Sequence, residues 1–517
     1  MKPKLSRREF TKAATLGTAA LVTGACSPSG FPGTTTSRKV HRPKQKKPNL
    51  LFIWTDEQRA DTMAAYGNNK IHAPNLNKLA GQSVVFENAY VTQPVCTPNR
   101  SAVMTGLWPH QSGCIKNNIP LPPDIPCLPE LLGDSDYRTA YMGKWHLGDE
   151  IFAQHGFEEW VSIEDGYRRY YSDGRDRDMR SDYHHFLVEN GYKPDSGNNA
   201  FSRSFAARRI LEHCKPKFLE KKACDFLRRH RQEPFILYIN FLEPHMPFFG
   251  PLDDEHSPEE INLPSNFSDL LEENEPLRYR IIREYCRAKY GKDEQDITAL
   301  IRRYWGLVTQ VDLSVGAILK TLDDLGLADD TIVVYTSDHG DMMGSHHMVE
   351  KSVMYEEAVK VPWLMRIPQM QGSLIKDRVS HIDMVPTLLE LLDCGSDGRF
   401  PGKSLVPLIK GGRAGQDNVF IEWNPNSGAM KVKKGGTQLA PKEELRRLEN
   451  EHTRAAVSPD GWKLCISDTD KCQLFDLNKD PGETVNLYDS GRHEDIIRKL
   501  TAMIYKWQET VGDKVKI

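Results

Sequence analysis

The sequence predicts an α/β fold: a large, mainly parallel sheet flanked by helices, with a smaller C-terminal subdomain of antiparallel sheet plus helix. Three observations predict it. From about residue 48 to 400, strand-like runs alternate with segments of helical periodicity. Four of those runs are continuously apolar, as strands covered on both faces are. After about residue 400 the pattern shifts to short strand-like runs joined by turns, and it closes in one amphipathic stretch.

The elements follow in order. "NLLFIWT" runs into Asp56-Glu57, and "RTAYMG" runs into Lys144-Trp145-His146. "PFILYINFL" runs into Glu243-Pro244-His245, and "TIVVYTS" into Asp338-His339. Open parallel sheets bind ligands outside the carboxyl ends of their strands. These four runs therefore deliver acids, a lysine and histidines to one edge, which predicts a shared active site. One charged strand end would mean little, because turns are polar anyway.

Before the last of these runs, Leu307, Val311, Val315, Ile318, Leu319 and Leu322 recur at helical spacing, with Gly326 near the end. They predict an amphipathic helix packed on the sheet. Residues 165–232, rich in Arg, Tyr and His, predict an insertion with helices that either lines a cleft or forms a solvated charged surface. Beyond residue 400, "TRAAVSPDGWKLCIS" and "CQLFDLNKDPGE" predict antiparallel strands, and "HEDIIRKLTAMIYKWQETV" a closing helix. The Gly-, Asn- and Lys-rich stretch 424–442 reads as a mobile loop. The expected organisation is a leader and linker at 1–47, a catalytic domain at 48–400 and an α+β subdomain at 401–517.

At 517 residues the chain can bury a large core. With 68 Lys+Arg against 71 Asp+Glu it lacks a polybasic signature for nucleic acid. No apolar run reaches the ~20 residues needed to span a bilayer. "SRREFTK", then a mild apolar stretch and small residues, predicts a twin-arginine export signal, hence the translocation machinery as partner and the periplasm or cell surface as destination. Cys26, after "VTGA", is a candidate lipid anchor, with Thr23 an imperfect match to the usual aliphatic position. The other nine cysteines form no CxxC pair. Cys465 and Cys472 flank a turn and are candidates for a hairpin disulfide; most of the rest read as buried thiols.

Acids at strand ends beside a histidine suggest a divalent cation, and carboxylate oxygens suit a hard one such as Ca²⁺ or Mg²⁺. Arg100, Lys144, His146, His245 and Lys351 add cations and donors. A metal among so many positive groups describes a pocket for a tetrahedral oxyanion ester, sulfate or phosphate. Patterning does not choose between sulfur and phosphorus, and it does not explain Cys96.

The motifs do. "CTPNRSAVMTG" resembles the C-x-P-x-R signature, with its trailing T-G, of the type I, formylglycine-dependent sulfatases of the alkaline-phosphatase-like superfamily. "YMGKWHLG", "EPHMPF", "TSDHGDMMGSHHMVEKSVMYEE" and "QLFDLNKDPGETVNL" match in order, so the resemblance runs over nearly all of the chain beyond residue 48. It implies that Cys96 is oxidised by a separate maturation enzyme to formylglycine (3-oxoalanine), whose hydrate attacks sulfur and later collapses to release sulfate. It also implies that Asp56, Glu57, Asp338, His339 and the modified Cys96 hold Ca²⁺. By the same resemblance Arg100 and Lys144 steady the hydroxyls of residue 96, and His146 is the base. Lys144, His245 and Lys351 contact the sulfate, and His245 or Lys351 protonates the leaving oxygen.

Two positions depart from the family pattern: Glu57 stands where a second aspartate is common, and His339 where asparagine is common. The expected substrate is a sulfated carbohydrate, read by loops at 165–232 and 424–442 whose arginines could contact further sulfates or carboxylates. A phosphonate or phosphate monoester hydrolase of the same superfamily is the nearest alternative. A non-catalytic glycan-binding protein and a thiol enzyme using Cys96 directly are the alternatives of other classes.

Overall fold

A computed structural model describes residues 47–395, 398–412, 417–426, 430 and 437–517. Arg7, Arg8, Cys26 and the leader they belong to lie outside the described residues, as does much of the 424–442 stretch.

The four polar-ended runs are strands: β1 (Asn49–Asp56), β3 (Arg138–Gly143), β5 (Phe235–Pro244) and β6 (Thr331–Ser337). With β2 (Val84–Tyr90), β4 (Glu159–Val161), β7 (Lys360–Val361), β8 (Trp363–Arg366) and β9 (Ser373–Ser380) they build a nine-stranded sheet. Its order is β4-β3-β5-β1-β6-β8-β2-β7, with β9 also paired to β2. From β4 to β6 every pairing is parallel. The carboxyl ends of β3, β5, β1 and β6 therefore lie side by side at one edge, as the sequence predicts.

Alternation along the strands divides the core. Leu51 and Ile53 of β1, Leu237 and Ile239 of β5, and Val333 and Tyr335 of β6 face one layer. Leu50, Phe52 and Trp54, Ile236 and Tyr238, and Ile332 and Val334 face the other. The first layer is closed by helices α1 (Pro74–Gly81), α3 (Lys215–Arg229), α4 (Leu277–Tyr290) and α5 (Glu294–Asp324). Helix α2 (Cys96–Thr105) sends Val103 and Met104 into the second.

The long helix α5 is the predicted amphipathic one, and Gly326 adopts φ +67° just beyond it. It starts thirteen residues before Leu307, the first predicted position, because Asp293 caps it by accepting from Asp296 N and Ile297, Leu300 and Ile301 extend the buried stripe. The 165–232 segment is two things. Helix α3 places Phe218, Leu219, Phe226 and Leu227 in the core as the crossover into β5, whereas residues before it form short helices and turns that are largely exposed but send Tyr183, Leu187 and Ala206 into the same core.

A second, antiparallel sheet runs β10 (Val419–Trp423), β11 (Thr453–Val457), β12 (Trp462–Ser467), β13 (Gln473–Asp476). Its Ala456, Leu464 and Leu474 pack under the closing helix α6 (Glu494–Val511) through Leu500 and Ile504. Its other face, with Ile421, Trp423 and Val457, shares a core with Val91, Val95 and Val361. The expected Cys465–Cys472 disulfide does not form; both thiols are free. Cys465 is paired in register with Gln473, so Cys472 points to the opposite face, toward α6.

Candidate active site

At the joined strand ends, charge is packed where water is absent. Asp56, Glu57, Arg100, Lys144, Asp338 and His339 are all fully buried. Burying a charge is costly unless it is paired and hydrogen-bonded, and each here has a partner. Arg100 commits four of its five N–H donors: to Asp56 Oδ2 at 2.7 Å, Asp338 Oδ2 at 2.8 Å, and the Lys144 carbonyl and Asn240 Oδ1, both at 2.9 Å. Lys144 donates to the same Asp56 oxygen. Burial alone would lift the Asp56 carboxyl, yet Lys144 and Arg100 hold it well below the usual range.

Cys96 opens α2, with Val95 in extended backbone before it, so the first turn's N–H groups converge behind the thiol. Its Sγ lies 3.1 Å from His339 Nε2 and 3.8 Å from Asp56 Oδ1. Burial foremost, then the Asp56 carboxylate, push the thiol up to about 12. An unmodified Cys96 is therefore protonated at neutral pH and a poor nucleophile. Arg100 is one turn along the same helix, which is why the i, i+4 spacing of the motif carries both residues into one site.

Asp56, Cys96, Asp338 and His339 each offer one ligand atom, all within 4.8 Å of one another. His339 Nδ1 lies 2.9 Å from the Gly340 carbonyl. That contact places the proton on Nδ1 and leaves the Nε2 lone pair facing the cluster, as a metal ligand requires. Glu57 falls in a neighbouring group with Asp56 and His245. Its Oε1 accepts from Lys351 at 2.8 Å, and among the described residues its buried Oε2 has no hydrogen-bond donor. The orphaned oxygen and the oxygen-rich donor set fit a hard divalent cation. Glu57 sits at φ +70°, a conformation secured by its N–H to Asp338 Oδ1 and its carbonyl to the Tyr304 hydroxyl.

Above this floor opens a cleft of about 750 Å³, lined among others by Cys96, Lys144, His146, His245 and Lys351. Burial first, then Lys144 and Arg100, hold His146 well below its ordinary value, so its ring is neutral. Its Nε2 lies 3.1 Å from Asn118 Oδ1, which fixes the proton there; Nδ1 is buried without a partner among the described residues and is free to accept. His245 is also held neutral, by burial and by Lys351, with Nδ1 on the Met246 carbonyl and Nε2 turned toward the acids. Lys351, against its burial, is kept charged by the acids Glu57 and Asp56 beside it.

All ten sequence-predicted residues thus meet at one place. Sequence reasoning missed several that hold them. Glu150 accepts from the N–H groups of Trp145 and His146 at 2.9 and 2.7 Å, fixing His146 at φ +59°. Asn99 donates to the Asp338 carbonyl, and His381 braces Asn99 and Thr336 from behind, each at 2.9 Å. Arg203 reaches the cleft from the surface segment, held by buried Glu164 and by the Tyr167 hydroxyl at 2.7 Å. Glu150 carries a sequence signal, an acid just past "KWHLG"; His381 and Arg203 carry none.

Residues 48–394 match the sulfatase family. An uncharacterized sulfatase of Escherichia coli (strain K12) is 28% identical over 488 residues, 90% of this chain and 88% of that protein. The N-acetylglucosamine-6-O-sulfatase of Bacteroides thetaiotaomicron is 26% identical over 533 residues, 90% of this chain and 87% of that one. Among solved structures, the phosphonate monoester hydrolase of Agrobacterium radiobacter is similar at a TM-score of 0.72 and 20% identity, over 90% of this chain and 96% of that chain, which is a likeness of fold. With the family match spanning all four strand ends and the residues of its signature gathered around Cys96, the chain belongs to the sulfatase family, within the alkaline-phosphatase-like superfamily, and is a sulfuric ester hydrolase.

Proposed function

We propose that the enzyme hydrolyses sulfate esters of a carbohydrate, with Cys96 converted to formylglycine by a maturation enzyme. The observation that carries this is the setting of Cys96: it lies at the floor of the cleft, beside the Asp56–Asp338–His339 cluster, as a thiol too basic to act unmodified. A divalent cation, expected to be Ca²⁺, would be held by Asp56, Asp338 and His339 with residue 96, and would supply positive charge to the attacking oxygen and the sulfate. The long Glu57 side chain is placed to complete that shell through its unpartnered oxygen.

The chain's own groups then divide the remaining work. Lys144 and Lys351, both charged, neutralise sulfate oxygens, and Arg100 keeps the carboxylates in place. Lys351 is the proton donor to the leaving oxygen, because His245 is neutral with its only N–H on a carbonyl. His146, with Nδ1 bare, takes the proton from the hydroxyl of residue 96 when sulfate is released. The N-acetylglucosamine-6-O-sulfatase relative supports a sulfated sugar as substrate. The same reading has the leader direct twin-arginine export to the periplasm or cell surface, with Cys26 a site for a lipid.

Two measurements test this. Mass spectrometry of the tryptic peptide Leu79–Arg100, from protein made with a formylglycine-generating enzyme, is expected to show the aldehyde at Cys96; an unmodified thiol would remove the nucleophile. A head-to-head assay of aryl sulfate, phosphate and phosphonate esters is expected to favour sulfate. Dominant turnover of a phosphorus ester would transfer the reading to the chemistry of the fold relative.

A further inference from the structure

We infer that the outer cleft binds a second anionic group of the substrate, a sulfate or carboxylate near the ester that is cleaved, between Lys116 and Arg169. The inference rests on the sulfatase reading for the ester itself and adds a requirement on the rest of the substrate. Five cations line the cleft: Lys116, Lys144, Arg169, Arg203 and Lys351. Three are already matched, Lys144 to Asp56, Lys351 to Glu57 and Arg203 to Glu164. Lys116 and Arg169 differ. Both are exposed, and among the described residues neither has a carboxylate within ion-pair distance. The one carboxylate in the lining, Glu350, is engaged by Lys289 and the Tyr290 hydroxyl.

Each of the two stands on a segment tied to the reacting end. Thr97, the residue after Cys96, donates its N–H to Asn117 Oδ1 at 3.1 Å, and its hydroxyl accepts from Asn118 N at 3.2 Å. The turn that carries Lys116 is thereby fastened to the start of α2. On the other segment, the Tyr167 ring lies 4.6 Å from His146, and the Arg169 guanidinium stacks 4.7 Å over Tyr170. Stacking leaves the in-plane N–H fork of Arg169 available for a bidentate contact to carboxylate or sulfate. A solvated surface charge would need neither tether. A monoanionic ester would leave both cations idle, whereas a sugar with a neighbouring anion would engage them once its ester reached residue 96.

The test is competitive inhibition of aryl ester hydrolysis by three sugars: a hexosamine monosulfate, a hexosamine disulfate, and a monosulfated disaccharide bearing a uronate. For the wild type, the sugar with the matching second anion is expected to inhibit about 10-fold more tightly than the monosulfate, as one added charge-assisted contact gives. Which of the two gains identifies sulfate or carboxylate. K116A/R169A is expected to lose that advantage and K116R, which keeps both charges and the Arg169 fork, to retain it. Equal inhibition by all three sugars in the wild type would overturn the inference, as would an advantage that survives in K116A/R169A. Should the double variant fail to fold by circular dichroism, K116A and R169A singly decide the same point. If aryl sulfate is inert and an aryl phosphonate is turned over, the sulfatase reading falls, and the same series run against the phosphonate still decides this one.

Discussion

The floor of the cleft and its rim hold their charges in opposite ways. At the floor, every cation is matched to a carboxylate in the absence of solvent, and Arg100 alone joins two acids, a backbone carbonyl and an amide. At the rim, Lys116 and Arg169 stand in water with no acid beside them. A buried charge left without its partner is expensive, so the floor can change little without losing the fold. An exposed charge costs almost nothing to keep or remove, so the rim is where specificity can vary. The charged residues of the floor should therefore move catalysis and stability together, its uncharged reacting residue catalysis alone, and rim residues only recognition.

Four substitutions probe that contrast, from the largest effect to the smallest. Cys96→Ala removes the reacting residue from the floor and is expected to cut kcat for aryl sulfate by about 10⁴-fold or more while leaving the melting temperature nearly unchanged. Arg100→Ala leaves Asp56 and Asp338 buried with less compensation, and should cost about 3–5 kcal/mol in denaturant unfolding as well as activity. If Arg100→Ala unfolds like the wild type, the floor is not held by charge pairing.

The third concerns Glu164, which joins floor to rim by holding Arg203 and Lys215. Burial opposes its charge, but those two cations bring its carboxyl down to about 2. A depressed carboxyl contributes stability above its unfolded value, near 4.5, and loses it as pH falls toward 2. Glu164→Gln should thus lower stability at neutral pH by about 3 kcal/mol and flatten the loss between pH 4.5 and 2. A pH profile parallel to that of the wild type would count against the assignment. Smallest is Tyr167→Phe, which deletes the hydroxyl that accepts one N–H of the Arg203 guanidinium while the Glu164 carboxylate still holds that side chain. It should raise KM for a sulfated sugar about 2–10-fold with kcat little changed; a fall in kcat instead would make Tyr167 part of the floor.

The same contrast explains what could be read from the sequence. Strand ends are legible because continuous apolar runs define them, so the polar residues that follow, Asp56, Lys144, His245 and Asp338, announce a common edge by their positions alone. Cys96 and Arg100 are legible only through their resemblance to a family signature; the helix that carries both is a finding of the structure. Arg203 is not, because a surface segment joins the cleft only through the turn that seats it on Glu164, and nothing in its local sequence distinguishes it from Arg208 or Arg209. His381 is equally silent: it acts from behind β6, by a contact that only the packed layers create. The unformed Cys465–Cys472 link has a similar cause, since a turn seen in sequence does not reveal which face each thiol takes. Glu57 shows the limit from the other side: the sequence offers it as a candidate, but only the packed site shows that one oxygen goes to Lys351 while the other has no donor among the described residues.

Burial of α2 sets a timetable. The whole helix from Cys96 to Thr105 is buried, with Cys96 itself 1% exposed. On the proposed chemistry, an enzyme that oxidises the thiol can reach it only while the chain is still open. Closure of the sheet edge over α2 is then a deadline: molecules that fold first keep a cysteine sealed at the bottom of a finished cleft. Preparations would accordingly contain two populations, active and inert, identical in shape and separable only by the mass of a single residue.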